Sequence, residues 1–440
     1  MALPVIITAS CCDAMNNLWT KRVEGTRMTQ TEMSRVIFIN RFYWPDEPAT
    51  SQLLTDLAEQ LAAHNLEVLV ITSKPQREDR PATEQHHGVT ILRVGSSHLG
   101  KANSISRVLD FTSFMFGALW RMFRVTRRAD TVVFMTDPPL LGALGWPLVA
   151  LRRARFIHWI QDIYPEIAIE LTGHRWLACL KPLRNWSWRK ASCCVTLGTD
   201  MAKVVATAGV PEARMKIIPN WAPSGLKSPS AQEIDLRKHD WSLVGKFVAL
   251  YSGNLGRVHD LQPIIETAAL LKHEKDIAFV FVGQGVQLAA LRTFVRQRNL
   301  TNVHFFPPQP REQLAVTLAQ GDVHFVTLRQ NCERYVFPSK LYGIVAEGKP
   351  TIFIGPLTSE LADLVRKENL GYSFEPDQIH EIGAALIHLR DDPEDHRRLC
   401  QAAGAFAQNN NLPHALQSWL ILIGTEEDLA VPQPMSQSHR

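Results

Sequence analysis

The feature that most constrains this chain is an alternation that runs, stops and starts again. Short apolar, β-rich runs alternate with longer stretches of helical period from residue 35 to 220, and again from 247 to 390. "RVIFIN" (35–40), the helical "QLLTDLAEQLAAH" and "LEVLVIT" (66–72) place a strand, a helix and a second strand within 38 residues. In a parallel sheet such a unit closes with a right-handed crossover. Further buried strands are predicted at "TVVFMT" (131–136), "RFIHWI" (155–160), "SCCVTLG" (192–198) and "MKIIPN" (215–220). Residues 221–242 lose the periodicity and gain Pro, Ser and charge, as a linker does. The pattern then returns with "FVALYSG" (247–253), "IAFVFVGQG" (277–285), "VHFFPP" (303–308), "VHFVTL" (323–328) and "TIFIG" (351–355).

A chain of 440 residues exceeds one ordinary hydrophobic core. The pattern therefore predicts an α/β fold of two doubly wound, Rossmann-like parallel-sheet domains, over 34–220 and 243–405. Residues 221–242 join them, a C-terminal helix covers 406–424, and a polar, disordered tail follows over 425–440. The leader 1–33 has an apolar run with no positive charge ahead of it, so it makes a poor signal peptide. Met28 or Met33 is a candidate start.

Hydrophobic residues at 45% and charged ones at 20% exclude a disordered or fibrous chain. Seven cysteines without CxxC spacing give no disulfide framework and suggest a reducing cytoplasm. Charge is unevenly spread. Residues 34–220 hold 23 Lys/Arg and 16 Asp/Glu, whereas 221–440 hold 21 and 24. Within the first half, residues 93–155 carry ten basic and three acidic side chains. "HRWLACLKPLRNWSWRK" (174–190) carries five basic residues and three tryptophans, with no acid. Basic residues among tryptophans suit an anionic membrane surface, the alternative being a surface helix whose indoles pack inward. The apolar runs "FTSFMFGALW" (111–120) and "PPLLGALGWPLVAL" (138–151) fall short of the roughly 18 residues a spanning helix needs. No nucleic-acid-reading helix accompanies the positive charge, and no GxGxxG follows "RVIFIN", which argues against nucleic acid and nicotinamide partners.

In open α/β sheets ligands bind beyond the carboxyl ends of strands, so the loops after strands hold the candidates. In "YSGNLGRVHD", Gly253 and Gly256 let backbone approach a ligand, and Arg257 with His259 can meet phosphate charge. The alternative is a glycine turn capping the next helix. Gly283 in "VGQG" marks a second such turn. "FPSKLYGIVAEGKP" (337–350) sets Ser339 and Lys340 behind Pro338, where a helix is expected to begin. Free N–H groups, the helix dipole and an ammonium there would favour a phosphate. In "WIQDIYPEIAIE", Asp162 follows a strand and can orient a sugar hydroxyl or steady positive charge, or else cap a helix.

The order of "FYWPDEPATSQLLTDLAEQLAAHNLEVLVIT", "QDIYPE", "IIPNW", "YSGNLG", "FVGQG" and "PSKLYGIVAEGKP" resembles the group 1 (family four) glycosyltransferases of the GT-B fold. It is most similar to the branch of colanic-acid and other surface-polysaccharide enzymes, over about residues 34–420. The resemblance implies an amino-terminal acceptor domain facing a carboxy-terminal nucleotide-sugar domain, transfer with retention, and neither metal nor cofactor. Gly253, Asn254 and Gly256 would lie against the donor phosphates with Arg257 close by, and Ser339 and Lys340 would hold the pyrophosphate. Glu47, Thr50 and Ser51 would line the acceptor side, with Asp162 nearest the reacting carbon. The two glutamates found in much of the family are replaced by Tyr335 and Gly343. Glu347, one helical turn on, is the nearest donor-side carboxylate. Gln161 stands where many members have histidine, and "EPATSQ" replaces a glycine-rich loop. The resulting expectation is a cytoplasmic enzyme, peripheral at the inner face of the cytoplasmic membrane, that moves sugar from a UDP-sugar to a lipid-linked or surface-glycan acceptor. A nucleotide-sugar 2-epimerase and a catalytically silent nucleotide-sugar-binding protein are the alternatives.

Overall fold

The computed structural model describes residues 35–75, 80–95, 104–224 and 228–424. The expectations for the leader 1–33 and the tail 425–440 concern residues outside these. The first half is built on β1 (Arg35–Ile39), β2 (Glu67–Ser73), β3 (Thr83–His86), β4 (Val89–Val94), β5 (Thr131–Met135), β6 (Arg155–Trp159), β7 (Cys193–Thr196) and β8 (Met215–Ile217). They form one sheet in the order β3-β4-β2-β1-β5-β6-β7-β8. The pairs are parallel apart from the β3/β4 hairpin. That hairpin is absent from the sequence reading because "TEQH" is a polar edge strand with no apolar face. His87 and Gly88 make its turn, both at positive φ.

The second sheet contains β9 (Phe247–Ser252), β10 (Ile277–Val282), β11 (Val303–Phe306), β12 (Val323–Thr327), β13 (Thr351–Ile354) and β14 (Gly371–Phe374). Its order is β11-β10-β9-β12-β13-β14 and every pair is parallel. The strand order reverses at β1/β5 in one sheet and at β9/β12 in the other, and ligand crevices form at such points.

Each sheet is covered on both faces, as the period of two along a strand requires. On β1, Val36 and Phe38 point into one core with Leu54, Leu57 and Leu61 of the helix Ala49–Ala63. Ile37 and Ile39 point into the other, with Phe114, Ala118 and Met122 of the helix Ser104–Val125.

Two stretches differ from the sequence reading. The segment read as a linker contains a helix, Ala231–Asp240, whose Ser230 and Glu233 form a capping box. The C-terminal helix expected over 406–424 begins later, at Leu412: a separate helix runs over Pro393–Asn409, and the last one is Leu412–Ile423, with the Asn411 side chain accepting the His414 N–H at its start. The last helix returns to the first half, where Trp419 packs edge-on against Trp159 and Phe38.

Beyond the last helix, three polar contacts between the halves stand out among the described residues. The Ile163 N–H donates to the Tyr335 carbonyl at 2.9 Å, beside an antiparallel bridge between Asp162 and Val336. Arg311 donates to Asp56 at 2.8 Å, and Asp56 also accepts the Ser224 N–H at 2.9 Å. The third contact is an exchange of caps. Helix Thr199–Thr207 has a glycine at its N-cap and so no capping side chain of its own. Glu360 accepts the Asp200 N–H at 3.1 Å while Asp200 accepts the Glu360 N–H at 2.8 Å.

Candidate active site

At the β9/β12 switch point, Lys340 reaches back over the end of β9. Its ammonium lies 3.8 Å from the centre of the Tyr251 ring and donates to Tyr251 Oη at 2.6 Å. Tyr251 Oη donates in turn to the Asn254 carbonyl at 2.9 Å, which fixes the loop that follows the strand. A Cβ on Gly253 would stand 3.6 Å from the ammonium, so the lysine and the glycine loop share one crevice. Burial pulls the Lys340 pKa down to about 7. Among the described residues the lysine makes no ion pair. A half-buried ammonium without a carboxylate is costly unless an anion visits it.

Gly253, Asn254 and Arg257 are exposed at the tip of this loop, where a ligand can meet them. The Gly253 N–H is already engaged by the Val282 carbonyl at 2.9 Å. Gly283 lies buried beneath: a Cβ there would come within 2.0 Å of the Gly253 carbonyl oxygen. It supports the loop and does not face a ligand. The loop is also clamped by Gln287, whose side-chain amide donates to the Gly256 carbonyl at 2.5 Å and the His259 carbonyl at 2.8 Å.

Two donor-side expectations need correction. His259 brings no positive charge, because its Nδ1–H donates to the Thr327 carbonyl at 2.8 Å and burial, with Lys340 nearby, pulls its pKa down to about 3. Pro338 is not the first helical residue. The helix is Lys340–Ala346 with Ser339 as N-cap, and seven residues make a weak dipole, so the ammonium and the glycine loop carry the anion site. Glu347 sits at the C-cap of that helix, about 10 Å along the axis from Lys340 at 1.5 Å per residue, so any donor contact it makes is separate from the lysine's. The family's two glutamate positions are used otherwise: the Tyr335 carbonyl joins the halves and Gly343 is buried near Leu318.

On the first half, Asp162 follows β6 and forms a backbone bridge with Val336 of the second half. Its N–H donates to Thr136 Oγ1 at 3.2 Å, which ties the end of β6 to the end of β5. Asp137, missed by the sequence reading, follows β5 in the same way that Asp162 follows β6. Burial pushes both carboxyls up to about 6, with mutual repulsion adding to the rise at Asp162 and Arg41 opposing it at Asp137. Raised carboxyls paired at a strand rim mark a candidate functional site. Helix capping is not the role of Asp162, since the following helix, Glu166–Thr172, starts from Pro165 with no side-chain cap. Glu47 is exposed and Thr50 half-buried at the start of helix Ala49–Ala63. Ser51 cannot line a cleft: it is fully buried, one turn before Leu54 and Thr55 on the core face.

A cavity of about 620 Å³ also opens between the halves, walled by Leu197, Pro219, Phe337, Tyr342, Glu360 and Asn409. None of Lys340, Gly253 or Asp162 lines it, because Tyr342 and Lys340, two positions apart on a helix, point in different directions.

Residues 50–221 match the family described as glycosyl transferase 4-like domain, and residues 234–405 match the glycosyl transferases group 1 family. The chain belongs to the group 1 glycosyltransferases. It is 25% identical over 363 residues to the protein named colanic acid biosynthesis glycosyl transferase WcaI of Escherichia coli K12, covering 78% of this chain and 89% of that one. It is 26% identical over 294 residues to the glycosyltransferase WbjE of Pseudomonas aeruginosa, covering 64% of this chain and 70% of the other. The fold matches sucrose-phosphate synthase from Thermosynechococcus elongatus with a TM-score of 0.73 at 16% identity, over 88% of this chain and 98% of that one. It matches HepE of Anabaena, solved with UDP-glucose, with a TM-score of 0.69 at 16% identity, over 89% and 99%. The two facing parallel-sheet domains are those of the GT-B fold, as expected.

For this glycosyltransferase the stacked glycine turns make a direct prediction. Gly283→Ala puts a Cβ against the Gly253 carbonyl at a φ of +147°, and is expected to cost about 1–3 kcal/mol of stability and to weaken anion binding at the loop above. Urea unfolding and titration with a nucleoside diphosphate check both, and an unchanged unfolding midpoint would show that the turns are not in contact.

Proposed function

We propose that this glycosyltransferase moves a sugar, with retention of anomeric configuration and without a metal ion, from a uridine diphosphate donor to a lipid-linked or surface-glycan acceptor at the inner face of the cytoplasmic membrane. The second domain holds the donor and the first holds the acceptor. One observation carries the reading: a half-buried ammonium at the switch point of the second sheet, against an exposed glycine loop, with no carboxylate partner among the described residues. Lys340, with Arg257 close by, offsets the charge that develops on the departing diphosphate, the part a divalent ion would otherwise play. Asp162 and Asp137 face the sugar and acceptor from the other rim. HepE, solved with UDP and with UDP-glucose, supports the choice of donor class. WcaI, named for colanic acid biosynthesis, supports a surface-glycan acceptor.

A thermal-shift panel of nucleotides and nucleotide sugars tests the donor site. A ligand at a hundred times its dissociation constant adds about 2.7 kcal/mol of stability, and uridine diphosphate compounds are expected to shift the protein most. No shift with any nucleotide would remove the donor assignment. A silent binding protein is the second reading, favoured by the loss of both family glutamates, and it predicts the shift without transfer to any lipid extract.

A further inference from the structure

We propose that the helical layer formed by Ser104–Val125, Leu141–Leu151 and residues 175–190 is a docking face that sets Phe116, Trp120 and Trp176 into the headgroup zone of an anionic lipid bilayer. The helix Ser104–Val125 has two apolar faces. Phe114, Ala118 and Met122 are fully buried against the first sheet. Leu109, Thr112, Phe116, Trp120 and Arg124, spaced by three or four positions, form the opposite, outward stripe. Charged residues normally occupy that stripe on a water-facing helix. Here Phe116 is 71% exposed and Trp120 62%. Neighbouring helices continue the surface with Leu144 and Leu151, and Trp176 is 68% exposed beside Arg175.

Charge selects the occupant. The carboxylates of the 93–155 stretch are turned away from this surface: Asp110 and Asp130 are buried, and Asp137 lies at the cleft rim. Arg124, Arg127, Arg128 and Arg153 are exposed. A second copy of the chain would bring like charges together, whereas anionic headgroups complement them. The guanidinium of Arg124 lies 5.3 Å from the Trp120 ring, so indole and cation are presented as a pair at one depth. The structure also redistributes the tryptophans of residues 174–190. Trp188 is buried under Arg184, and Trp186 packs edge-on against Trp146, leaving Trp176 as the one that faces out.

Helices Leu141–Leu151 and Glu166–Thr172 leave from the loops that carry Asp137 and Asp162. A bilayer on this layer would therefore lie beside the acceptor rim, so that a lipid-linked acceptor reaches the cleft while its tail stays in the membrane. That use rests on the acceptor class proposed above, and the docking itself does not.

The test uses the full chain and a Phe116→Ser/Trp120→Ser variant, whose exposed positions leave the core untouched. Sedimentation with vesicles of phosphatidylcholine alone, and of equimolar phosphatidylcholine and phosphatidylglycerol, measures partition. The wild type is expected on the anionic vesicles, and the variant to partition about tenfold less or worse. Leu236→Ser, at an exposed leucine of the second half, should partition as wild type. The uridine-nucleotide thermal shift should be equal in all three, which separates docking from the donor reading. Equal partition of the double variant, or no binding of the wild type, overturns the proposal. So does a lipid-free dimer that the double variant dissociates, since the face would then be a protein interface.

Discussion

Replacing Lys340 by methionine is expected to raise the dissociation constant for a uridine diphosphate sugar by about ten- to a hundredfold while leaving the fold intact. A charge-assisted hydrogen bond to a ligand contributes about 1.5–3 kcal/mol, and each 1.4 kcal/mol is tenfold in affinity. Methionine keeps the apolar stem over the Tyr251 ring, so the loss is one of charge. The same lysine makes affinity depend on pH. Burial holds it at about 7 when no anion is bound, and a diphosphate beside it favours the charged form. Binding above that pH must take up a proton, so the dissociation constant should climb by nearly tenfold per pH unit beyond about 7. Stability without ligand runs the other way. The folded pKa lies below the ordinary value of 10.5, so the unfolded chain holds more protons between the two, and stability rises with pH across that window. Calorimetric titration from about pH 6 to about pH 9 checks both halves in wild type and variant. A flat profile in the wild type, or an unchanged affinity in the variant, would remove Lys340 from the donor site.

Asp162→Asn is expected to lower kcat by about 10²–10³ with little change in donor affinity, the size of effect seen when one electrostatic stabiliser is removed from a reacting centre. The backbone of this aspartate is held from three directions: by Thr136, by the bridge to Val336, and by its neighbour Ile163 on Tyr335. Its backbone is thus held at the line where the halves meet. Asp162 and Asp137 are both held at about 6, well above ordinary aspartates, so they take up protons as pH falls through that value. If the ionised form steadies positive charge, the rate falls on the acid side of about pH 6. In the variant Asp137, whose rise comes from burial and is opposed by Arg41, keeps its own titration, so any residual acid limb should stay near pH 6. Rates with a soluble acceptor analogue across that range decide the matter. A drop below tenfold would show that Asp162 only shapes the loop, and a lowered unfolding temperature with normal kcat would show the same.

Most of the strands were legible because burial imposes a short period on local sequence. "FVALYSG" and "IAFVFVGQG" can hardly be anything but central strands ending in glycine turns. The glycine turns, Lys340 and Asp162 were legible for a related reason: residues that follow parallel strands necessarily stand at the ligand-binding edge. Asp137 obeys the same rule and was within reach of it. Its pairing with Asp162 was not, since it depends on which two strands lie side by side. The polar strand β3 and the helix Ala231–Asp240 lacked the apolar alternation on which such reading relies. Ser51 was misplaced because a hydroxyl at the start of a helix looks the same whether it faces a cleft or the core.

The chain by itself determined two parallel-sheet domains, the loops that could carry chemistry, and the excess of positive charge in the first half, because each is a local or summed property of the residues. Only the tertiary structure decided that Lys340 lies on a tyrosine 89 positions away, that the last helix closes the first domain, and that Trp120 faces out while Trp188 is buried. Those outcomes depend on which surfaces pack together, and packing is set by shape complementarity between elements distant in sequence, which no local pattern records.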